Sequence, residues 1–165
     1  MAELLHDLGA KGEWTGEVEL TICARSLSST KLDSELCLKA RGSFLISGPL
    51  LARHGCATVP RPGGDKIGRR RLDTHIRALE ALGGKIRTNH IYAMRAPDGL
   101  KGADIFLDER SVTGTENALM AASLAKGTTV IRNAAAVPHV QELCTLLTAM
   151  GALISGIGSN ELTVE

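Results

Sequence analysis

With 165 residues, the chain fits one domain long enough to bury a real core. Lys and Arg number 19 against 18 Asp and Glu, a formal net charge of +1, which excludes a nucleic-acid protein with a broad basic surface and a partner that is polyacidic. Hydrophobic residues make up 44%, yet no stretch reaches the about 18 apolar residues of a membrane span, so no membrane partner is expected.

Aromatic residues are limited to Trp14, Phe44, Tyr92 and Phe106, so the core has to be built from aliphatic side chains. Cys23, Cys37, Cys56 and Cys144 show no CxxC pair. Buried free thiols in a reducing cytoplasm are expected rather than a metal site or disulfides. The start, "MAELLHDLGAKGEW", carries acids and lacks the apolar run of a signal peptide.

In chain order, "LLHDLGAKGEWTGEVELTI" (residues 4–22) reads as the end of an amphipathic helix, a stop at Gly9, and a hairpin of two alternating strands. "SFLISGPLLARHGCATV" (43–59) reads as a helix rich in small residues, capped by Ser43, ended by Gly55 and followed by a short strand. After the loop "VPRPGGDKIGRRRLDTH" (59–75), "ALEALGGKIRTNHIYAM" (78–94) repeats the helix–glycine–hairpin pattern. "DGLKGADIFLD" (98–108) reads as a linking strand and "ERSVTGTEN" (109–117) as a helix start. "NALMAASLAKGTTVI" (117–131) repeats the small-residue helix ending in a glycine, then a strand. "TLLTAMGALISGIGSNELTV" (145–164) repeats the helix–glycine–hairpin.

A unit of roughly 70 residues therefore recurs: helix, strand, loop, helix, strand, strand. The second copy is longer than the third between its strand and its second helix, and the extra length lies in "RPGGDKIGRRR". A loop added to one copy of a packing scaffold points to function. The first copy opens inside its second helix, so the expectation is a fragment with exposed edges.

Within the loop, Asp65 reads either as a turn residue bonding its own backbone or as an acid beside a ligand. Arg69, Arg70 and Arg71 read either as a solvated charge run or as paired guanidinium donors for a phosphate or carboxylate. Arg70 and Arg71 fall near a helix N-terminus, which favours anions. Asp73 suits the first turn of that helix, and His75, one turn in, reads as a surface histidine. Arg41 precedes an apolar helix as an exposed charge. At the next helix start, Ser, Thr and Gly with free N–H groups suit a cap or an anion-binding end.

Taken together, "RGSFLISGPLLARHG", "PGGDKIGRRRLDTHIRALEALGGKI", "LKGADIFLDERSVTGTENALMAASLAKGTTVIRNAA" and "LLTAMGALISG" resemble the UDP-N-acetylglucosamine 1-carboxyvinyltransferase family, across essentially all of the chain. The resemblance implies an α/β fold, an inside-out α/β barrel of repeated units with helices in the middle and sheets outside. Here it would be one incomplete barrel: residues 1–40 end a truncated unit, 41–97 form the second with an active-site loop at 60–71, and 98–165 hold a linking strand and the third. The family's second barrel, the partner that completes the active site, would be absent, as would the lysine–asparagine pair near the family's N-terminus.

The resemblance implies transfer of the enolpyruvyl group of phosphoenolpyruvate to the 3-hydroxyl of UDP-N-acetylglucosamine, by addition and elimination, with no cofactor and no metal. Asp65 stands where the family mostly has a cysteine acting as general acid, and some members carry Asp there. Enclosure would raise the pKa of Asp65 toward the range of a proton donor, while the arginines would oppose that. Fosfomycin alkylates the family thiol, and a carboxylate is a far poorer target, so insensitivity is implied. Arg70 resembles the arginine on the phosphate of phosphoenolpyruvate, and Arg41 the arginine that binds the nucleotide sugar. Arg71, Leu72, Asp73, Thr74 and His75 resemble the segment lining the uridine diphosphate site. Arg71 replaces a proline there, and Thr74 an aliphatic residue. Ser111, Val112 and Thr113 resemble a stretch near the diphosphate, with Thr113 in place of a glycine. The alternatives are the sister 3-phosphoshikimate 1-carboxyvinyltransferase, which the loop motif disfavours, and a non-catalytic sugar-nucleotide-binding remnant.

Overall fold

The computed structural model describes residues 1–64 and 71–165. Six α-helices, α1 (Ala2–Asp7), α2 (Ser34–Lys39), α3 (Ser47–His54), α4 (Asp73–Ala81), α5 (Val112–Ala122) and α6 (Pro138–Ala149), alternate with nine strands among the described residues. These are β1 (Lys11–Trp14), β2 (Leu20–Cys23), β3 (Cys56–Pro60), β4 (Lys85–Thr88), β5 (Ile91–Arg95), β6 (Asp104–Phe106), β7 (Thr129–Arg132), β8 (Ile154–Ser155) and β9 (Glu161–Val164). A 3₁₀ turn, Arg41–Ile46, leads into α3.

Strands pair in three separate sheets: β1-β2, β3-β5-β4 and β6-β7-β9-β8. The last two share one plan. In each, a strand after a small-residue helix pairs antiparallel with the far strand of the next hairpin. In the third sheet β6 lies parallel to β7, and in the second an isolated parallel bridge between Lys31 and Thr58 holds that place. The recurring unit is thus present in hydrogen bonding as well as in sequence. No closed barrel forms among the described residues.

α5 runs through the middle. Gly114, Thr115, Asn117, Ala118, Leu119, Ala121 and Ala122 are buried on it, so it is covered on nearly every side. Small residues permit that close approach: α5 packs on α3, α4 and α6. Leu51, Leu79 and Leu119 have no exposed surface, and truncating any of them to Ala would cost about 2–5 kcal/mol. α4 buries Thr74, His75, Ala78 and Leu79, one stripe of a helix. The first hairpin is different: every residue of β1 and β2 is exposed except Leu20, which is half-buried.

Outside, Arg132 on β7 bridges the short strand β6 and β9. Its guanidinium holds Asp104 at 2.9 Å and also Glu161. These side chains are close to half-exposed or more.

Four expectations need correction. Gly55 does end α3, with φ of 68°, but α5 stops at Ala122, and Gly127 belongs to a separate turn before β7. The linking strand is only Asp104–Phe106, because residues 98–103 form a turn and a single bridge, Lys101 to Lys126. Ser43 does not cap α3; it is fully buried inside the 3₁₀ turn, whose cap residue Ala40 lends no side-chain bond. Of the four free cysteines, Cys37 and Cys144 are buried, but Cys56 is half-buried and Cys23 lies exposed on β2. Burial raises the pKa of the Cys37 and Cys144 thiols, keeping them protonated.

Candidate functional site

Asp65 and Arg70, the two residues proposed to act on phosphoenolpyruvate, lie outside the described residues, as does Arg69. The chain on either side of them is anchored. On the near side, Gly63 N–H donates to Cys37 O at 3.0 Å and Gly64 N–H to Leu38 O at 3.1 Å, at the end of α2. Contact there is so close that a Cβ on Gly63 would sit 1.9 Å from Leu38 O. On the far side, Arg41 Nη2 donates to Arg71 O at 3.0 Å. Gly64, with φ of +90°, packs against the backbone of Arg41, where its Cβ would fall 3.1 Å from Arg41 N. Arg41 therefore stands at both margins of the segment.

Arg71 turns its Nε to Asp73 Oδ2 at 2.6 Å and its Nη2 to Asp108 at 3.8 Å. Both carboxylates hold Arg71 protonated more firmly than usual, the Asp73 hydrogen bond most of all. Asp108, following β6, also accepts from Thr74 Oγ1 at 2.9 Å and Arg77 Nη1 at 2.7 Å. These exposed ion pairs orient side chains more than they stabilise the fold. Leu72 and Thr74 are buried, so any contact of theirs with a ligand at the surface falls to the backbone.

The α5 N-terminus lies beside that of α4. Ser111 caps it, its Oγ accepting from Gly114 N–H at 3.1 Å. A Cβ on Gly114 would meet Thr74 Cγ2 at 3.0 Å, which shows how closely the two ends pack. Val112 and Thr113 are half-buried in the same turn. Thr113 Oγ1 is 3.2 Å from His75 Nε2.

His75 is the main departure from the surface histidine expected: it is buried, edge-on to the Phe44 ring at 5.2 Å. Burial first, and the charge of Arg41 second, push its pKa down to about 4. Its Nδ1 faces the amide of Asn117, itself fully buried, at 3.2 Å. Sequence reading missed Asn117 and Asp108. Asn117 did leave a signal, an amide amid the small apolar residues of a helix, where a buried polar group needs a partner. Asp108 left none, because its partners are far away in the chain. The structure thus joins Arg41, Arg71 and Asp73 through direct bonds, brings in Thr74 through Asp108, and pairs His75 with Thr113, with Ser111 and Val112 in the same helix turn. Among the described residues no group of His, Cys, Asp and Glu is suited to hold a metal ion, and no helix is long and apolar enough to cross a membrane.

The sequence profile of EPSP synthase (3-phosphoshikimate 1-carboxyvinyltransferase) matches residues 1–165. UDP-N-acetylglucosamine 1-carboxyvinyltransferase of Bradyrhizobium diazoefficiens is 54% identical over 165 residues, covering 100% of this chain and 38% of that protein. The protein of the same name from Treponema denticola is 52% identical, with the same coverage. Among solved structures, the enolpyruvyl transferase NikO from Streptomyces tendae superposes with a TM-score of 0.82 at 19% identity, over 98% of this chain and 38% of that one. EPSP synthase from Acinetobacter baumannii follows at 0.74 and 19%, over 99% and 37%. The solved structures speak for the fold alone. The chain spans under two fifths of the length of the relatives it matches.

Proposed function

We propose, because this chain belongs to the EPSP synthase family along its whole length, that it is the part of a UDP-N-acetylglucosamine 1-carboxyvinyltransferase that carries the nucleotide-sugar side of the active site. The observation that carries this reading is 54% identity, over every residue of the chain, to a protein of that name. The sister reading, transfer to 3-phosphoshikimate, has weaker support: the relatives at 54% and 52% identity both carry the name UDP-N-acetylglucosamine 1-carboxyvinyltransferase.

In the proposed reaction the sugar 3-hydroxyl adds to C2 of phosphoenolpyruvate while the methylene carbon takes a proton from Asp65. The hydroxyl proton passes to a base supplied from outside these residues. Elimination then expels phosphate and returns a proton from the methyl group, restoring the double bond on the new ether. Arg70 would hold the phosphate, where a guanidinium matches two oxygens at once. Arg41, Arg71 and Asp73 would meet the nucleotide sugar with side chains, and Leu72 and Thr74 with backbone. His75 would act from beneath, and Ser111, Val112 and Thr113 would present the α5 N-terminus to the diphosphate. The division into units at 1–40, 41–97 and 98–165, a second barrel as partner, and a cytoplasmic place in peptidoglycan synthesis belong to the same proposal.

Calorimetric titration of the chain with UDP-N-acetylglucosamine and, separately, with shikimate 3-phosphate tests it. Binding of the first alone is expected, weakly, and phosphate release from phosphoenolpyruvate is expected to be nil. Preference for shikimate 3-phosphate, or turnover by the 165 residues alone, would overturn the assignment.

A further inference from the structure

Asn117 is placed where three elements meet. Its Oδ1 accepts Gly48 N–H at 2.8 Å, which fixes the way round the amide lies. Gly48 permits this approach; a Cβ there would fall 2.3 Å from that oxygen. The Nδ2 group consequently faces Ser47 Oγ at 2.9 Å, Phe44 O at 3.4 Å and His75 Nδ1 at 3.2 Å. An amide nitrogen only donates, so His75 Nδ1 has to accept, and the ring's one proton sits on Nε2. That N–H points at Thr113 Oγ1. The chain of donors thus has one direction: Asn117 to His75 on α4, and His75 to Thr113 in the first turn of α5. A doubly protonated ring would set an N–H against an N–H.

We propose that Asn117 is a positioning residue: by setting the tautomer of His75 it ties the N-termini of α4 and α5, and the turn that carries Arg41, at one fixed spacing. Its bearing on nucleotide-sugar binding rests on the function proposed above; the tie itself does not. Arg41 is the charged group whose field reaches the ring from the 3₁₀ turn, while α5 and α3 contribute neutral partners. Among the described residues no carboxylate enters that field, so hydrogen bonds set the tautomer.

The test is nitrogen-15 NMR of the five histidine rings in the 165-residue chain, with His75→Gln identifying the signal. The Nε2–H form is expected, with no titration until the pH nears the depressed value of about 4. Asn117→Asp keeps an acceptor for Gly48 but turns an acceptor toward Nδ1. Its ring should carry the proton on Nδ1, titrate above 6.5, and move the amide signals of Asp73 and Thr113. Affinity for UDP-N-acetylglucosamine should fall about tenfold. Thr113→Val, which removes only the far acceptor, should shift the Asp73 amide while leaving the tautomer in place. An Nδ1–H ring in the unaltered chain would overturn the proposal, as would Asn117→Asp with ring and amide signals unmoved. Shifted signals with unchanged affinity would reduce Asn117 to a packing role. Failure of the unaltered chain to bind the nucleotide sugar would count against the proposed function, with the tautomer and the amide signals still deciding the tie.

Discussion

Replacing Gly63 with Ala puts a methyl carbon 1.9 Å from Leu38 O, 2.6 Å from Leu38 C and 2.8 Å from Leu38 Cα, all backbone atoms that no rotamer change can clear. The stem has to lift from the end of α2. Lifting it breaks two hydrogen bonds, Gly63 to Cys37 O and Gly64 to Leu38 O. Both groups then reach water, so each loss costs the net worth of a bond, about 0.5–1.5 kcal/mol, and the pair about 1–3 kcal/mol. Urea unfolding of a chain this size, with a slope of about 2 kcal/mol/M, should show a midpoint lowered by about 0.5–1.5 M and an unchanged slope. Gly83→Ala serves as the contrast. Nothing lies within 4 Å of its Cβ, but its φ is +97°. That variant should lose only the cost of a left-handed backbone, about 1 kcal/mol. If Gly63→Ala unfolds within error of the unaltered chain, the anchoring of the stem on α2 is wrong.

Three further outcomes are expected. His75 has a folded pKa of about 4 against an ordinary 6.5, so the unfolded chain takes the proton first as pH falls. Its contribution is intact above pH 6.5, erodes below it and is gone by about pH 4, a loss of about 3 kcal/mol; urea midpoints across that range should fall, and His75→Gln should flatten the fall. Ser111→Ala removes the cap on Gly114 N–H and should cost about 0.5–2 kcal/mol, read as a lowered thermal midpoint. Incubation of the assembled enzyme, both barrels together, with fosfomycin and nucleotide sugar should leave its mass unchanged; an adduct on Asp65 would refute the proposed insensitivity.

The helices and hairpins of the repeat were legible because they are written locally, whereas α2, six residues capped by Asp33, was not read. Apolar spacing marks α4, Gly83 and Gly151 stop helices at positive φ, and each hairpin alternates. The linking strand was overread because Ile105 and Leu107 alternate like a strand, while the paired register with β7 covers only Asp104–Phe106. Of the site, the margins Arg41, Arg71 and Asp73 were legible as charges, and Ser111 as the start of α5. His75 was misread, since its burial comes from Phe44 and Asn117, which are remote in sequence. Polar groups satisfied by distant partners leave little mark on a local window, and the tie between the two helix starts consists of such groups.

The clasp that Arg132 makes on Asp104 and Glu161 stands in water, whereas the amide and imidazole within are shut away from it. Dissolved ions screen the first and leave the second untouched. Ionic strength is therefore a dial that loosens the rim of the third sheet by itself, and fraying of β6 in brine would leave the interior of the molecule as it was.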